Sequence, residues 1–249
     1  MMPIKSGNGD ISERFSDQVV LVAGGTGGLG RAVSCAFLRE GAKVAVTYRK
    51  REEFDALRQA AGENGSRLNG HVTDVTHEAS VGQLVGKILA EQGPLDALVN
   101  TVGGYAGGVQ LWDMETKILD QMLALNLRSG YALSRAVVPA MLKRKRGTIV
   151  NVAAKAALDH PAGAAAYAAS KAAALALLDS LAADLKGTGV RVNTILPSII
   201  DTQANREAMP KADFAIWPKP GDIARVILFL CSAEAKVIHG AAIPVYGDS

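Results

Sequence analysis

The chain has 249 residues, enough for one domain with a sizeable core and short for two. Hydrophobic residues make up 49% and charged residues 20%, a globular composition that excludes a disordered chain, and a net charge of +3 is too small to argue for nucleic acid. No apolar run reaches signal-peptide or membrane-span length, so the sequence predicts a cytoplasmic protein with a small-molecule substrate, no nucleic acid and no membrane.

Residues 1–17 read as an N-terminal extension and residues 18–249 as the domain. Val19–Ala23, "VVLVA", is a buried strand, followed by glycines and a helical pattern over Leu29–Glu40. Lys43–Thr47 is a second strand, Glu52–Ala61 a helix, Arg67–Val72 a weaker strand and Ala79–Glu91 a helix. Asp96–Asn100 is a fourth strand, and Thr116–Leu142 a long helix that Pro139 is expected to kink or end. The Lys143–Arg146 run, "KRKR", reads as a solvated helix end. Thr148–Val152 is a fifth strand, Tyr167–Lys186 an Ala- and Leu-rich helix, and Val190–Leu196 a sixth strand. Asp222–Cys231 is a helix and Ala242–Val245 a short final strand. The strands are continuous apolar runs alternating with helices. That pattern gives the fold class: α/β, a single doubly wound Rossmann-type domain with a predominantly parallel sheet. Cys35 and Cys231 sit in apolar helical patterns and read as buried free thiols.

"VAGGTGGLGRAV" places Gly24, Gly28 and Gly30, with Thr26 and Leu29 between them, after a strand and before a helix. Glycines there let the chain turn tightly and approach a pyrophosphate, while the helix presents free N–H groups and its positive end. The expected cofactor is therefore a dinucleotide. After the second strand comes "VTYRKREE", with no carboxylate before Glu52, and Arg49 suits a 2′-phosphate; NADP(H) is favoured, with NAD(H) as the alternative. Asp74 either receives an adenine amino group or caps a helix start, and Asn100 ends the fourth strand near the expected ribose. Tyr167 and Lys171 stand four apart and share a helix face. An ammonium near a phenol favours phenolate, so the pair is a candidate for proton exchange with substrate while a hydride moves. Lys171 is also placed to hold the nicotinamide ribose. His71, His77 and His239 lack ligand-like spacing, so no metal site is expected.

These motifs resemble those of the short-chain dehydrogenase/reductase family over nearly the whole chain. Gly24, Gly28 and Gly30 match its T-G-x-x-x-G-x-G motif, with Ala23 in place of threonine, and Asn100 and Gly103 match N-N-A-G, with Thr101 and Val102 departing. The resemblance implies catalytic roles for Asn126, Tyr167 and Lys171, with Asn126 supporting a proton-relay water. It also implies cofactor contacts from the segment that includes Pro197, Ile199, Ile200 and Thr202, and a homodimer or homotetramer. The family's serine, thirteen residues before the tyrosine, is Ala154 here; neither Lys155 nor Ser170 replaces it convincingly. "AAKAALDHPAG", "TVGGYAGG" and "DTQANREAMPKADFAIW" resemble dihydropteridine reductase, which also lacks that serine. That likeness implies reduction of a quinonoid dihydropterin, a conjugated C=N system with less need for a carbonyl-holding hydroxyl. The alternatives are a generic ketone or 3-oxoacyl reductase, or a non-catalytic dinucleotide-binding protein. Gln203–Pro220 reads as a lid carrying Met209, Phe214 and Trp217, and His160 as structural.

Overall fold

The computed structural model describes residues 14–249; residues 1–13 of the expected extension lie outside the described residues. The strands are β1 (Val19–Ala23), β2 (Lys43–Tyr48), β3 (Leu68–Val72), β4 (Leu95–Asn100), β5 (Gly147–Val152), β6 (Val190–Pro197) and β7 (Ala242–Val245). They form one seven-stranded sheet in the order β3-β2-β1-β4-β5-β6-β7, with every pairing parallel. The connecting helices are α1 (Gly28–Arg39), α2 (Arg51–Ala61), α3 (Glu78–Glu91), α4 (Thr116–Leu123), α5 (Ser129–Arg144), α6 (Ala156–Asp159), α7 (Ala165–Asp184), α8 (Gln203–Ala208) and α9 (Pro220–Cys231).

Both faces of the sheet are covered, which explains why the strands read as unbroken apolar runs. In β1 the side chains alternate between two cores. Val20 and Val22 join Val33, Phe37 and Ile227 on one face, and Val19, Leu21 and Ala23 join Ile88, Leu133 and Leu178 on the other. The strand order reverses direction between β1 and β4, and the crevice at their carboxyl ends is where a doubly wound sheet binds ligands. Burial pushes both thiols, Cys35 and Cys231, up from their ordinary pKa, and neither forms a disulfide.

The expected long helix is interrupted, but not at Pro139. That proline sits inside α5, while a π-helical turn at Ala124–Arg128 separates α4 from α5. The wider turn loosens the backbone ladder, and the Ser129 hydroxyl donates to the Leu125 carbonyl at 2.6 Å. Helix α5 ends at Lys145 in the left-handed region, φ 52°, and Arg144 pairs with Asp96 at 3.0 Å. The basic run thus closes a helix end, as its composition suggests.

The described end of the extension is tied to the domain. Arg14 donates from Nε and Nη2 to the Glu40 carboxylate at 2.8 Å each, and the fully buried Phe15 ring meets Phe37 edge-on, centroids 4.9 Å apart. Phe15→Ala should cost about 3–5 kcal/mol by opening a cavity beside α1. Urea denaturation checks this, and a loss within about 0.5 kcal/mol, the usual range for surface changes, would show that Phe15 lies outside the cooperative unit.

Candidate active site

The carboxyl end of β1 feeds the glycine loop. Gly24 has φ +73°, a backbone state open to glycine, and its N–H donates to the Thr47 hydroxyl at 2.8 Å. A Cβ at Gly30 would stand 2.1 Å from the Gly24 carbonyl oxygen, so α1 packs against the loop only because residue 30 has no side chain. Helix α1 starts behind Gly27 with no side-chain oxygen on its first amides and no acidic residue in its first turn. Such an end suits an anion. Thr101, which departs from the family motif, donates to the Ala23 carbonyl at 2.7 Å and fastens β4 to this loop.

A cavity of about 550 Å³ opens at the switch point, and Gly24, Thr26, Arg49, Asp74 and Gly103 all line it. These residues fit a dinucleotide: glycine backbone at one wall, an exposed guanidinium at the other, and an uncapped helix end between. Glu53 lines the same cavity, a residue that the sequence reading passes over because it lies beyond β2 in the first turn of α2. Its carboxylate accepts from the Thr26 hydroxyl at 3.0 Å and lies 3.8 Å from the Lys50 ammonium. Only the helical spacing of Lys50 and Glu53 hints at this in sequence. Asp74 accepts from the Thr76 N–H at 2.9 Å and hydroxyl at 2.7 Å. These bonds, with His77 at 3.0 Å, hold its carboxyl below the usual range. It shapes the turn before α3, whose N-cap is His77, while still facing the cavity.

Several expected cofactor residues lie behind the cavity wall. Leu29 and Gly30 are buried in α1. Asn100 is buried too; its amide donates to Asn151 at 2.9 Å and accepts from the Val102 N–H at 3.1 Å. Pro197 ends β6, buried, and its carbonyl accepts from the Lys155 N–H at 2.8 Å. Beyond it Ile199 is exposed and Ile200 half-buried. Thr202 caps α8 and reaches the glycine loop, since a Cβ at Gly28 would stand 2.7 Å from its methyl group.

At the other end of the crevice, Asn126 sits in the π turn with 3% of its surface exposed. Its Oδ1 accepts from the Gly104 N–H at 2.9 Å, and its Nδ2 donates to the Gly104 carbonyl at 3.1 Å and to the Ser170 hydroxyl at 2.9 Å. Ser170 in turn donates to the Tyr167 carbonyl at 2.8 Å. The Asn126 side-chain amide is therefore filled by protein partners and clamps the Gly104 and Ser170 segments together. Lys171 is buried, and its Nζ donates to the Val152 carbonyl at 3.0 Å. A Cβ at Gly103 would meet Asn126 Oδ1 at 2.9 Å and Lys171 Nζ at 3.1 Å, so all three meet at one point.

The expected lowering of the Tyr167 phenol is not the work of the protein groups alone. Burial pushes it up to about 12, helped by Tyr105, whose ring meets it edge-on with centroids 5.0 Å apart. Burial pulls Lys171 down to about 8. Desolvation disfavours both charged forms and outweighs the attraction expected between them. Ala154, at the end of β5, is buried and brings no hydroxyl. The flap after β6 packs on itself: Phe214 lies 5.0 Å from the buried Trp217, the Arg206 guanidinium covers Phe214 at 4.8 Å, and Asp201 pairs with Arg206 and Lys219 at the base. These partners hold the Asp201 carboxyl far below the usual range.

A family model described as short chain dehydrogenase matches residues 18–213. The chain is 30% identical to the 3-oxoacyl-[acyl-carrier-protein] reductase FabG of Thermotoga maritima, over 94% of this chain and 98% of that protein. It is 34% identical to the cyclopentanol dehydrogenase of a Comamonas species, over 94% of this chain and 97% of that protein. The crystal structure of levodione reductase superposes with a TM-score of 0.88 at 26% identity, covering 94% of this chain and 97% of that one. These names speak of carbonyl and alcohol chemistry and give the dihydropterin expectation no support.

Lys171 carries its proton below about pH 8 and is neutral above it, since its folded pKa lies below the ordinary 10.5. Dinucleotide affinity, followed by NADPH fluorescence, should therefore weaken as pH rises through about 8. Lys171→Met should flatten that dependence. A profile that is the same in both proteins would show that Lys171 does not carry it.

Proposed function

The chain belongs to the short-chain dehydrogenase family and is an NAD(P)-dependent oxidoreductase, and we propose that it interconverts a small carbonyl compound and its alcohol, with NADP(H) favoured over NAD(H). The observation that carries this reading is the convergence of Asn126 and Lys171 on Gly103, which lines the dinucleotide cavity, with Ser170 joining Asn126 to the Tyr167 backbone. When bound, the reduced nicotinamide supplies a hydride to the carbonyl carbon. Tyr167, protonated at neutral pH because burial holds its pKa high, gives its proton to the carbonyl oxygen as negative charge develops there. An alkoxide is a stronger base than a phenolate, so the transfer runs downhill. Lys171, cationic below about pH 8, stabilises the phenolate left behind and holds the ribose. Ser170 and Asn126 fix the backbone from which Tyr167 projects.

Arg49 supports the NADP(H) preference, because a guanidinium can grip a 2′-phosphate through two donors. Glu53 opposes a phosphate in the same cavity, and Lys50 beside it offsets part of that charge. Association as a homodimer or homotetramer in the cytoplasm belongs to the same proposal, supported by the alanine-rich α7, whose small side chains permit close helix packing.

One observation favours a second reading. The residue thirteen before Tyr167 is Ala154, and a dihydropterin C=N has less need of a carbonyl-holding hydroxyl. Initial rates on cyclopentanone, a 3-oxoacyl thioester and quinonoid dihydropterin, each with NADPH and NADH, separate the two. Faster turnover of the ketone or thioester with NADPH is expected, and Tyr167→Phe should lower it by roughly 10²–10⁴-fold, the usual scale for general acid catalysis. Turnover of dihydropterin alone would move the assignment to the second reading.

A further inference from the structure

Resting on the carbonyl reading above, we propose that Tyr105 supplies the substrate-holding hydroxyl that Ala154 cannot, making it a second phenol at the reacting oxygen. Four observations converge on it. Tyr105 meets Tyr167 directly, ring centroids 5.0 Å apart at 73°. It follows Gly104, whose N–H and carbonyl are both held by Asn126, so the clamp that fixes the Tyr167 backbone also fixes Tyr105. The loop that carries it is tied to the turn before α7, the helix of Tyr167, where the Val109 N–H donates to the Gly163 carbonyl at 3.3 Å. And Tyr105 as a residue is 70% exposed, its hydroxyl lying over Gly107, where the missing side chain leaves room for it.

The nearby side chains Ser170 and Asn126 already have protein partners. The Ser170 hydroxyl donates to the Tyr167 carbonyl and accepts from Asn126. Both Asn126 N–H groups go to Gly104 and Ser170, and the Lys171 ammonium donates one N–H to Val152 and keeps its other two for the phenolate and the ribose. Among the described residues, the Tyr105 hydroxyl is engaged in no hydrogen bond with another protein group. A carbonyl oxygen has two lone pairs; Tyr167 protonates along one, and a neutral phenol can donate along the other. Such a donor strengthens as the oxygen gains negative charge, so it acts in the transition state more than on the bound ketone.

Tyr105→Phe removes the hydroxyl and keeps the ring, and Tyr105→Leu removes both. With cyclopentanone and the 3-oxoacyl thioester, Tyr105→Phe should lower kcat/KM by about 10- to 100-fold, mostly in kcat, as expected for loss of one donor to a developing oxyanion. NADPH affinity by fluorescence should stay within about twofold of wild type, which separates this loss from damage to the fold or the cofactor site. Adding Ala154→Ser to Tyr105→Phe should restore part of the rate by supplying a hydroxyl from β5. A Tyr105→Phe protein as fast as wild type would overturn the proposal, with a loss confined to Tyr105→Leu showing that only the ring matters. A wild-type protein inactive on both substrates would reject the carbonyl reading, and the Tyr105 assignment with it.

Discussion

The side-chain amide of Asn126 ties together three segments that are distant in sequence: the loop after β4, the π turn between α4 and α5, and the start of α7. All its donors and its acceptor are used within a nearly water-free space. In such a space each bond is stronger than at the surface, and leaving any partner unpaired costs more. The π turn belongs to the same constraint, because Asn126 sits within it and bonds Gly104 and Ser170 from there. Tyr105, Tyr167 and Lys171 inherit their positions from this one amide and from the sheet ends beneath it.

The sheet sets where that cluster can act. Reversal of strand order between β1 and β4 leaves a crevice that no helix fills, and the glycine loop and the Gly103 segment form its two lips. Absent side chains do as much there as present ones. Gly30 lets α1 reach the Gly24 carbonyl, and Gly103 lets the β4 loop lie against Asn126 and Lys171. Burial then sets the proton chemistry: it holds Tyr167 neutral and makes the Lys171 charge conditional on pH. The polar centre is thus prepared by desolvation, with its charges tuned by what enters the crevice.

Much of this was legible in the sequence, for identifiable reasons. A parallel sheet covered on both faces writes continuous apolar runs, so β1, β4 and β5 could be read within a residue of their ends. A glycine loop between strand and helix, and a tyrosine and lysine four apart, are local patterns and were equally plain. What escaped is what depends on tertiary contact. Pro139 drew attention as a helix breaker, yet α5 absorbs it and the break falls at Asn126, where no propensity signals a π turn. Glu53 enters the cofactor cavity because α2 folds back over Thr26. The high phenol pKa of Tyr167 follows from burial, which spacing does not encode. The likeness to dihydropteridine reductase rested on local segments, whereas relatives matched over nearly the full chain bear carbonyl and alcohol names.

The claim that one buried amide organises the site is tested most directly by hydrogen exchange at the Gly104 amide, whose proton is held by Asn126 Oδ1. In Asn126→Ala, Gly104 exchange should accelerate by about 10-fold or more, the scale of one lost hydrogen bond, while the β5 amides of Ile149 and Val150 keep wild-type protection. Unchanged protection at Gly104 would show that the loop is held without Asn126 and would contradict the account.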